Sequence, residues 1–274
     1  MARVNGDTTT SALNDRALND LRTTSGDASI MLGLNTGTLT LNGDVAASGS
    51  GNLLLETANG SFVGNADITS ETGNITILAS GSISLNGSAA VDSGSTGSID
   101  MEASSGNISI AENSSQSSGS GDIRMLARNN ITLGGLLSTS GSVSLTAQSG
   151  SILDGDTDNR IDVSAENLRL NAGNSIGQLG ADNANSIETT VATLSSRSLG
   201  GGINIRETNS LTVAQTTATV NRVGTDGTVS SITDNAQNGL MTTAGNGSIV
   251  LRVDSGNLVL NGITQAHGAG NILL

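Results

Sequence analysis

The chain has 274 residues, a formal charge of −13, eleven Arg and no Lys. Pro, Cys, Trp and Tyr are absent, and Phe62 is the single Phe. The lack of Cys excludes a disulfide framework, and an acidic chain without clustered cations disfavours nucleic-acid binding. A core without aromatic bulk has to be assembled from aliphatic side chains, which thin stacked β layers can provide.

The first 24 residues differ in pattern from the rest of the chain. Within residues 11–22, Leu13, Ala17 and Leu21 recur at four-residue spacing, which is the spacing of one helix face. A short amphipathic helix is therefore one interpretation, and a degenerate strand containing Leu18 and Leu21 is the other. In either case residues 1–24 are expected to form a flank or a capping segment.

Residues 25–176 are built from a phrase that comes in pairs. Each phrase is a small polar pair followed by apolar–any–apolar, as in Gly73-Asn74-Ile75-Thr76-Ile77 and then Gly81-Ser82-Ile83-Ser84-Leu85. The alternation predicts short half-buried strands, and Gly or Asn stands where the chain must bend. The pair returns about every 20 to 25 residues, a period typical of stacked repeat architectures.

A weaker third strand follows the second phrase, for example at Ala90-Val91-Asp92 and at Leu136-Leu137-Ser138. Three short strands joined by corners close a triangular coil, and successive coils lie about 4.8 Å apart. The sequence therefore predicts an all-β solenoid, a parallel β-helix with three short strands in each coil of about 20–25 residues.

The apolar positions of the phrases define three predicted core columns. The first contains Leu53, Ile75, Ile99, Ile123, Val143, Leu168, Ile203 and Ile249. Its partner contains Leu55, Ile77, Met101, Met125, Leu145, Leu170, Ile205 and Leu251. The second phrase supplies Phe62, Ile83, Ile108, Ile131, Ile152, Ile176, Leu211 and Leu258. A charge placed in one of these columns is expected to destabilise the fold by several kcal/mol.

The repeat is irregular in residues 177–246, because the spacing between first phrases widens before Ile203 and again before Ile249. Insertions or an extra coil are predicted there, and loops on a rigid rod are the favoured place for partner contact. Regular coils resume over residues 247–274. The final phrase, Gly270-Asn271-Ile272-Leu273-Leu274, is expected to be the opening of a truncated coil.

The phrases, and above all residues 165–177 and Gly201-Gly202-Ile203-Asn204-Ile205-Arg206-Glu207, resemble the repeats of filamentous haemagglutinin-like bacterial adhesins. The resemblance covers roughly residues 24–274. It implies a right-handed parallel β-helix that forms part of the shaft of a large secreted protein, associated with the outer membrane through its parent protein. The secretion domain of that family is not visible here, so the resemblance leaves the export route open.

What such a shaft would bind follows from the same resemblance. The implied partners are surface molecules or glycans of host or neighbouring cells, contacted through a distal region. The segment itself is expected to be monomeric, without nucleic acid and without membrane insertion, because no stretch is long and apolar enough to cross a bilayer.

One local motif suggests a metal site. Asp154, Asp156 and Asp158 place three carboxylates at alternate positions, as at the start of a calcium loop. However, Asn159 stands where such a loop has Gly, and Ala165 stands where it has the bidentate Glu. A solvated corner between coils is the simpler interpretation, and calcium is the alternative.

Catalysis is the remaining class, since a carbohydrate-active β-helix enzyme (a polysaccharide lyase or hydrolase) shares the fold. Such a site needs converging acids and a surface on which sugar rings stack. The chain has no Tyr or Trp, its carboxylates are scattered along the sequence, and His267 has no partner nearby in sequence. The sequence therefore predicts a structural protein with no catalytic residues and no cofactor. Rows of Thr could form a flat binding surface, but they do not fill one column.

Overall fold

The structure is a computed structural model that describes residues 2–4, 10–12, 20–156, 158–180 and 185–274. It is an all-β parallel solenoid of about ten coils with three strands per coil, which confirms the predicted fold class. The strands are numbered β1 to β33 in chain order. At the N-terminus β1 (Ala2–Val4) and β2 (Thr10–Ala12) pair with each other in antiparallel fashion.

Three faces run along the solenoid. The first face is formed by β4 (Ile30–Leu34), β7 (Leu53–Thr57), β10 (Ile75–Ala79), β13 (Ile99–Ala103), β16 (Ile123–Ala127) and β19 (Ser142–Ala147). The second face is formed by β5 (Leu39–Leu41), β8 (Phe62–Gly64), β11 (Ile83–Leu85), β14 (Ile108–Ile110), β17 (Ile131–Leu133) and β20 (Ile152–Asp154). The third face is formed by β3 (Leu21–Arg22), β6 (Val45–Ala47), β9 (Ile68–Ser70), β12 (Ala90–Asp92), β15 (Ser115–Ser117) and β18 (Leu136–Ser138).

Beyond β20 the strands lengthen and the corners change. The long strands β21 (Val163–Ala172) and β22 (Ile187–Ser198) each run from the third face into the first. The last coils add β23 (Ile203–Glu207), β24 (Leu211–Val213), β29 (Leu240–Thr242), β30 (Ile249–Val253), β31 (Leu258–Leu260), β32 (Thr264–Gln265) and β33 (Ile272–Leu273). Two antiparallel pairs stand apart from this stacking: β25 (Gln215–Thr216) with β28 (Gln237–Asn238), and β26 (Thr219–Val223) with β27 (Val229–Thr233).

The core consists of aliphatic columns in register. Ile75 lies opposite Ile99, and Ile99 lies opposite Ile123, in parallel pairs one coil apart. The first column is fully buried from Leu53 to Leu168, as predicted. The Phe62 ring is also fully buried, so the single aromatic side chain of the protein belongs to this core.

The predicted columns hold through Leu170 and Ile176 and are wrong from Ile203 onward. The first column continues with Leu194 of β22, whereas Ile203 bridges to Ile176 and extends the second face. Ile249 stacks on Ile203 and shifts with it. The same shift moves Ile205, Leu251, Leu211 and Leu258 off their predicted columns. The reason is that β21 and β22 pass through a corner without a turn, so no Gly-Asn phrase marks the first-face strand there.

The N-terminal prediction is only partly covered by the structure. Leu21 lies in β3, which pairs in parallel with Val45–Ala46, so solenoid stacking has begun at this residue. Ser11 lies in β2. Leu13, Ala17 and Leu18, on which the alternative of a helix or a strand depends, lie outside the described residues.

Glycine and asparagine mark the corners for a steric and a hydrogen-bonding reason. A Cβ atom on Gly97 would overlap the carbonyl oxygen of Gly73 in the coil before it, so only glycine permits this backbone approach. Asn74 donates its side-chain amide to Asn52 Oδ1 at 3.0 Å, and the backbone N–H of Ser98 donates to Asn74 Oδ1 at 3.1 Å. These asparagines therefore hold neighbouring coils together.

Candidate functional site

Two features stand out from the regular coils, and the first is an insertion that folds back over the rod. Residues 214–239, here called the strap, leave the solenoid after β24 and return to it at β29. Their hairpin, β26–β27, lies on the outer side of the first face. Alternate backbone N–H groups of β26 donate to side chains on three successive coils: Thr219 to Asp122 at 2.7 Å, Asn221 to Ser98 at 2.8 Å and Val223 to Thr76 at 2.9 Å.

A buried ion-pair network joins the strap to the rod. The Asp100 side chain lies on the outer side of β13 but is 0% exposed, because the strap covers it. Its carboxylate accepts hydrogen bonds from Arg124 Nη1 at 2.8 Å and from Arg222 Nε at 2.6 Å. Arg222 also reaches Glu102 at 2.6 Å, and Arg124 Nε lies 3.0 Å from Asp234 Oδ1. Burial opposes charge on both guanidinium groups, but the carboxylates outweigh it and raise the pKa of Arg124 and of Arg222.

The network continues toward the C-terminal coils. Asp234 Oδ2 accepts a hydrogen bond from Ser144 Oγ at 2.6 Å, and Arg169 donates to the Asn235 carbonyl at 2.9 Å. Burial lowers the pKa of Arg169. The hydroxyl groups of Thr216 and Ser195 also form a hydrogen bond. Together these contacts place the strap on the outer side of six strands: β10, β13, β16, β19, β21 and β22. Arg124 and Arg169 are therefore buried and hydrogen-bonded beneath the strap.

The second feature is a group of carboxylates at the corner between β20 and β21. Carboxylate oxygens of Asp154, Asp156 and Asp162 lie within 4.8 Å of one another. Asp154 ends β20, and Asp162 immediately precedes β21. The sequence motif groups Asp158 with Asp154 and Asp156, but the structure places Asp158 outside this group, where it is exposed and paired with Arg160 at 2.7 Å.

Burial makes this corner unfavourable for negative charge. It raises the pKa of Asp162 to about 9 and that of Asp154 to about 6, and neighbouring carboxylates add to both shifts. The pKa of Asp156 is raised for the same reasons. Burial also raises the pKa of Glu188, on the adjacent strand β22, to about 7. Burial at this corner therefore favours the protonated form of these acids.

A cavity of about 250 Å³ adjoins the acids. Asp156 and Asp162 line it together with Ser114 of the neighbouring coil. Glu112 and Arg160, which form an ion pair of 2.5 Å, line it as well. The corner therefore offers oxygen ligands beside a space that water or a small polar group can enter.

The arrangement offers acid–base groups and cation ligands, but not the other parts of a sugar-binding site. The Phe62 ring is inside the core, and the chain has no Tyr or Trp on which a sugar ring could stack. His267 is exposed in the last coil. No helix among the described residues is long and apolar enough to cross a membrane.

Comparisons with protein-family models, with curated proteins and with solved structures give no match for this chain. The class of protein therefore follows from the fold alone: it is a parallel β-solenoid, a class that contains both structural shafts and enzymes.

Proposed function

We propose that this chain is a shaft segment of a large secreted or cell-surface bacterial adhesin, working as a stiff spacer or adhesive rod without catalysis. The observation that carries the proposal is the strap, which connects six successive first-face strands through hydrogen bonds and buried ion pairs. A solenoid is held together mainly by contacts between neighbouring repeats. The strap adds contacts that skip several repeats, and such contacts resist bending and stepwise peeling.

The composition supports the same role. The columns of the core repeat one aliphatic pattern, and the corners repeat one glycine and asparagine pattern, so most of the sequence serves stacking. The net charge of −13 disfavours lateral association of neighbouring rods. In this proposal the ligand, a surface molecule or glycan of another cell, binds at a distal region of the parent protein.

Location on the cell tests the proposal directly. Antibodies raised against the folded chain are expected to label intact cells of the source organism, and protease added outside the cells is expected to remove the label. A cytosolic protein serves as the control and must be detected only after lysis. Labelling that requires lysis in the same way would overturn the proposal.

The acidic cavity supports a second candidate, a carbohydrate-active β-helix enzyme, because Glu112, Asp156 and Asp162 converge beside an opening. The test is the release of reducing ends or unsaturated products from a panel of neutral and acidic polysaccharides. The shaft proposal expects no release above that of a Glu112→Gln variant. Turnover that this substitution abolishes would favour the enzyme.

A further inference from the structure

The acids at the β20–β21 corner are more deeply buried than a solvated corner requires. Asp162 is 2% exposed, and the Asp156 side chain is 6% exposed. The Asp154 Oδ2 atom is inaccessible to solvent and has no hydrogen-bond partner. A buried carboxylate needs a compensating charge, a proton or hydrogen bonds, because the free-energy cost of transferring an unpaired charge from water into the protein is large.

The hydrogen bonds at this corner do not provide that compensation. Among the described residues, one backbone N–H, that of Glu188, donates to Asp162, at 3.0 Å to Oδ2. Asp154 Oδ1 receives the backbone N–H of Asp156 at 3.0 Å, which leaves its other oxygen bare. Asp156 Oδ1 receives the backbone N–H of Asp158 at 3.0 Å. Carboxylate oxygens of the three residues nevertheless lie within 4.8 Å of one another.

The nearest cationic side chain is engaged elsewhere. Arg160 lies 2.5 Å from Glu112 and 2.7 Å from Asp158, but its closest approach to the group is 4.0 Å, at Asp156 Oδ2. Within the described part of the chain, no ion pair reaches Asp154 or Asp162. The compensating charge must therefore come from protons or from a bound cation.

We propose that Asp154, Asp156 and Asp162 bind a calcium ion at this corner. All three ligands are carboxylate oxygens, which are hard donors that favour Ca²⁺ or Mg²⁺ over the transition metals. Mg²⁺ usually keeps most of its waters and takes one or two carboxylates, whereas Ca²⁺ accepts several carboxylates in an irregular shell of six to eight oxygens. The adjoining cavity gives water access to complete that shell.

The ion would connect three parts of the chain. Asp154 belongs to the second face, Asp156 to the corner, and Asp162 to the start of the third-face strand β21. Glu188, which holds Asp162 from β22, extends the connection to the next coil. The inference does not depend on the proposed shaft function, because a calcium-bound corner suits a shaft and an enzyme equally.

Titration calorimetry of the chain, after treatment with EDTA and dialysis, tests the site. CaCl2 is expected to bind with a stoichiometry of one per chain, and MgCl2 at least tenfold more weakly. Asp162→Asn and Asp154→Asn are each expected to weaken Ca²⁺ binding tenfold or more. Asp158→Asn is the matched control from the same corner and is expected to change the affinity less than twofold.

Several results would overturn the proposal. They are no binding at millimolar Ca²⁺, tighter binding of Mg²⁺ than of Ca²⁺, and an Asp162→Asn variant that binds Ca²⁺ as well as the parent chain. Folding of each variant is checked by circular dichroism. Asn is isosteric with Asp and removes a buried charge, so Asp162→Asn is expected to melt in EDTA at or above the temperature of the parent chain, without the rise that Ca²⁺ gives the parent.

Discussion

Asp100 and Arg222 lie 122 positions apart in the chain, yet Arg222 Nε contacts Asp100 Oδ2 at 2.6 Å beneath the strap. Arg124 occupies the other oxygen of the same carboxylate at 2.8 Å. One fully buried acid therefore joins the strap, its own coil and the next coil. Removing one partner of such a group leaves uncompensated charge in a dry site, which is far costlier than losing a surface pair.

Asp100→Asn is accordingly expected to lower the free energy of unfolding by about 3 to 5 kcal/mol, because Arg124 and Arg222 lose their shared carboxylate. Urea denaturation followed by circular dichroism measures the change. The control is Asp44→Asn, which removes the exposed pair with Arg22 and is expected to cost about 1 kcal/mol or less. Equal losses in the two variants would mean that the strap does not bury the network in solution.

A substitution at Thr76 tests the hydrogen bond that the Val223 N–H, at the end of β26, donates to the Thr76 hydroxyl oxygen. Thr76→Val keeps the shape of the side chain but removes the acceptor of the Val223 N–H, whose loss costs about 1 to 3 kcal/mol. Hydrogen exchange is expected to accelerate at Val223 and its neighbours in β26, while amides of the core strand β11 keep their protection. Unchanged exchange at Val223 would show that the strap is not docked there.

Gln116 is a polar residue in an aliphatic column. It stands between Val91 and Leu137, is 0% exposed, and has no partner for Oε1. Gln116→Leu is expected to raise the free energy of unfolding by about 1 to 2 kcal/mol, because a buried unsatisfied oxygen is replaced by an apolar group of similar size. Gln116→Ala, which leaves a cavity instead, is expected to lower it. A Leu variant no more stable than the Ala variant would contradict this interpretation.

Glu207 is a buried carboxylate with four hydrogen-bond donors, although burial still raises its pKa. Its oxygens accept the Thr189 hydroxyl at 2.7 Å and the backbone N–H groups of Val191, Thr208 and Asn209 at 3.0 to 3.1 Å. Glu207→Gln turns one oxygen into an amide donor facing other donors, so a loss of about 2 to 3 kcal/mol in unfolding free energy is expected. Glu166→Gln, at an exposed position, is the control and should be neutral. A neutral Glu207→Gln would show that these donors do not require the carboxylate.

The acidic corner predicts a dependence of stability on pH in the cation-free protein. The pKa values of Asp154, Glu188 and Asp162 are raised to about 6, 7 and 9, from ordinary values of 3.8 and 4.5. Between about pH 4 and pH 9 the folded chain therefore binds more protons than the unfolded chain. The free energy of unfolding accordingly falls as pH rises through this range. Urea denaturation in EDTA at a series of pH values measures the fall.

One variant and one ion test that dependence on pH. In the Asp162→Asn variant, stability is expected to change less between about pH 7 and 9, because the variant lacks the carboxyl group whose protonation differs between the folded and unfolded states in that range. Calcium is expected to weaken the pH dependence of stability over a wider range. Stability that rises steadily from pH 6 to 9 in EDTA would contradict the buried and uncompensated state of these acids.

The sequence predicts the regular coils well because each corner has a local cause. Gly97, for example, packs so closely against the Gly73 carbonyl that no side chain fits there. The apolar alternation that follows predicts which side chains point into the core. The sequence does not predict β15, because Ser115–Ser117 has no apolar residue and is a strand only through its pairing with the strands on either side. In β21 and β22 the first-face segment follows the third-face segment without a turn, so no Gly-Asn phrase marks it. The sequence pattern therefore assigns Ile203 to the wrong face.

The sites are harder to predict, because they depend on contacts between residues far apart in the chain. Asp154 and Asp156 are visible as an acidic motif, but nothing local brings Asp162 to them instead of Asp158. Nor does the pattern of Thr219–Val223 show that this strand lies on Ser98 and Thr76. Side chains that meet across more than 100 positions leave no periodic signal.

The position of the strap in the chain also fixes an order of events during synthesis. Residues 219–234 are made after every coil that they cover, so a chain that folds from its N-terminus must stack those coils while Asp100 and Arg124 still face water. Only later does the hairpin reach back and exclude the solvent. Each covered coil is thus stacked before the strap is made, and its outer side is closed by a segment that is synthesised after it.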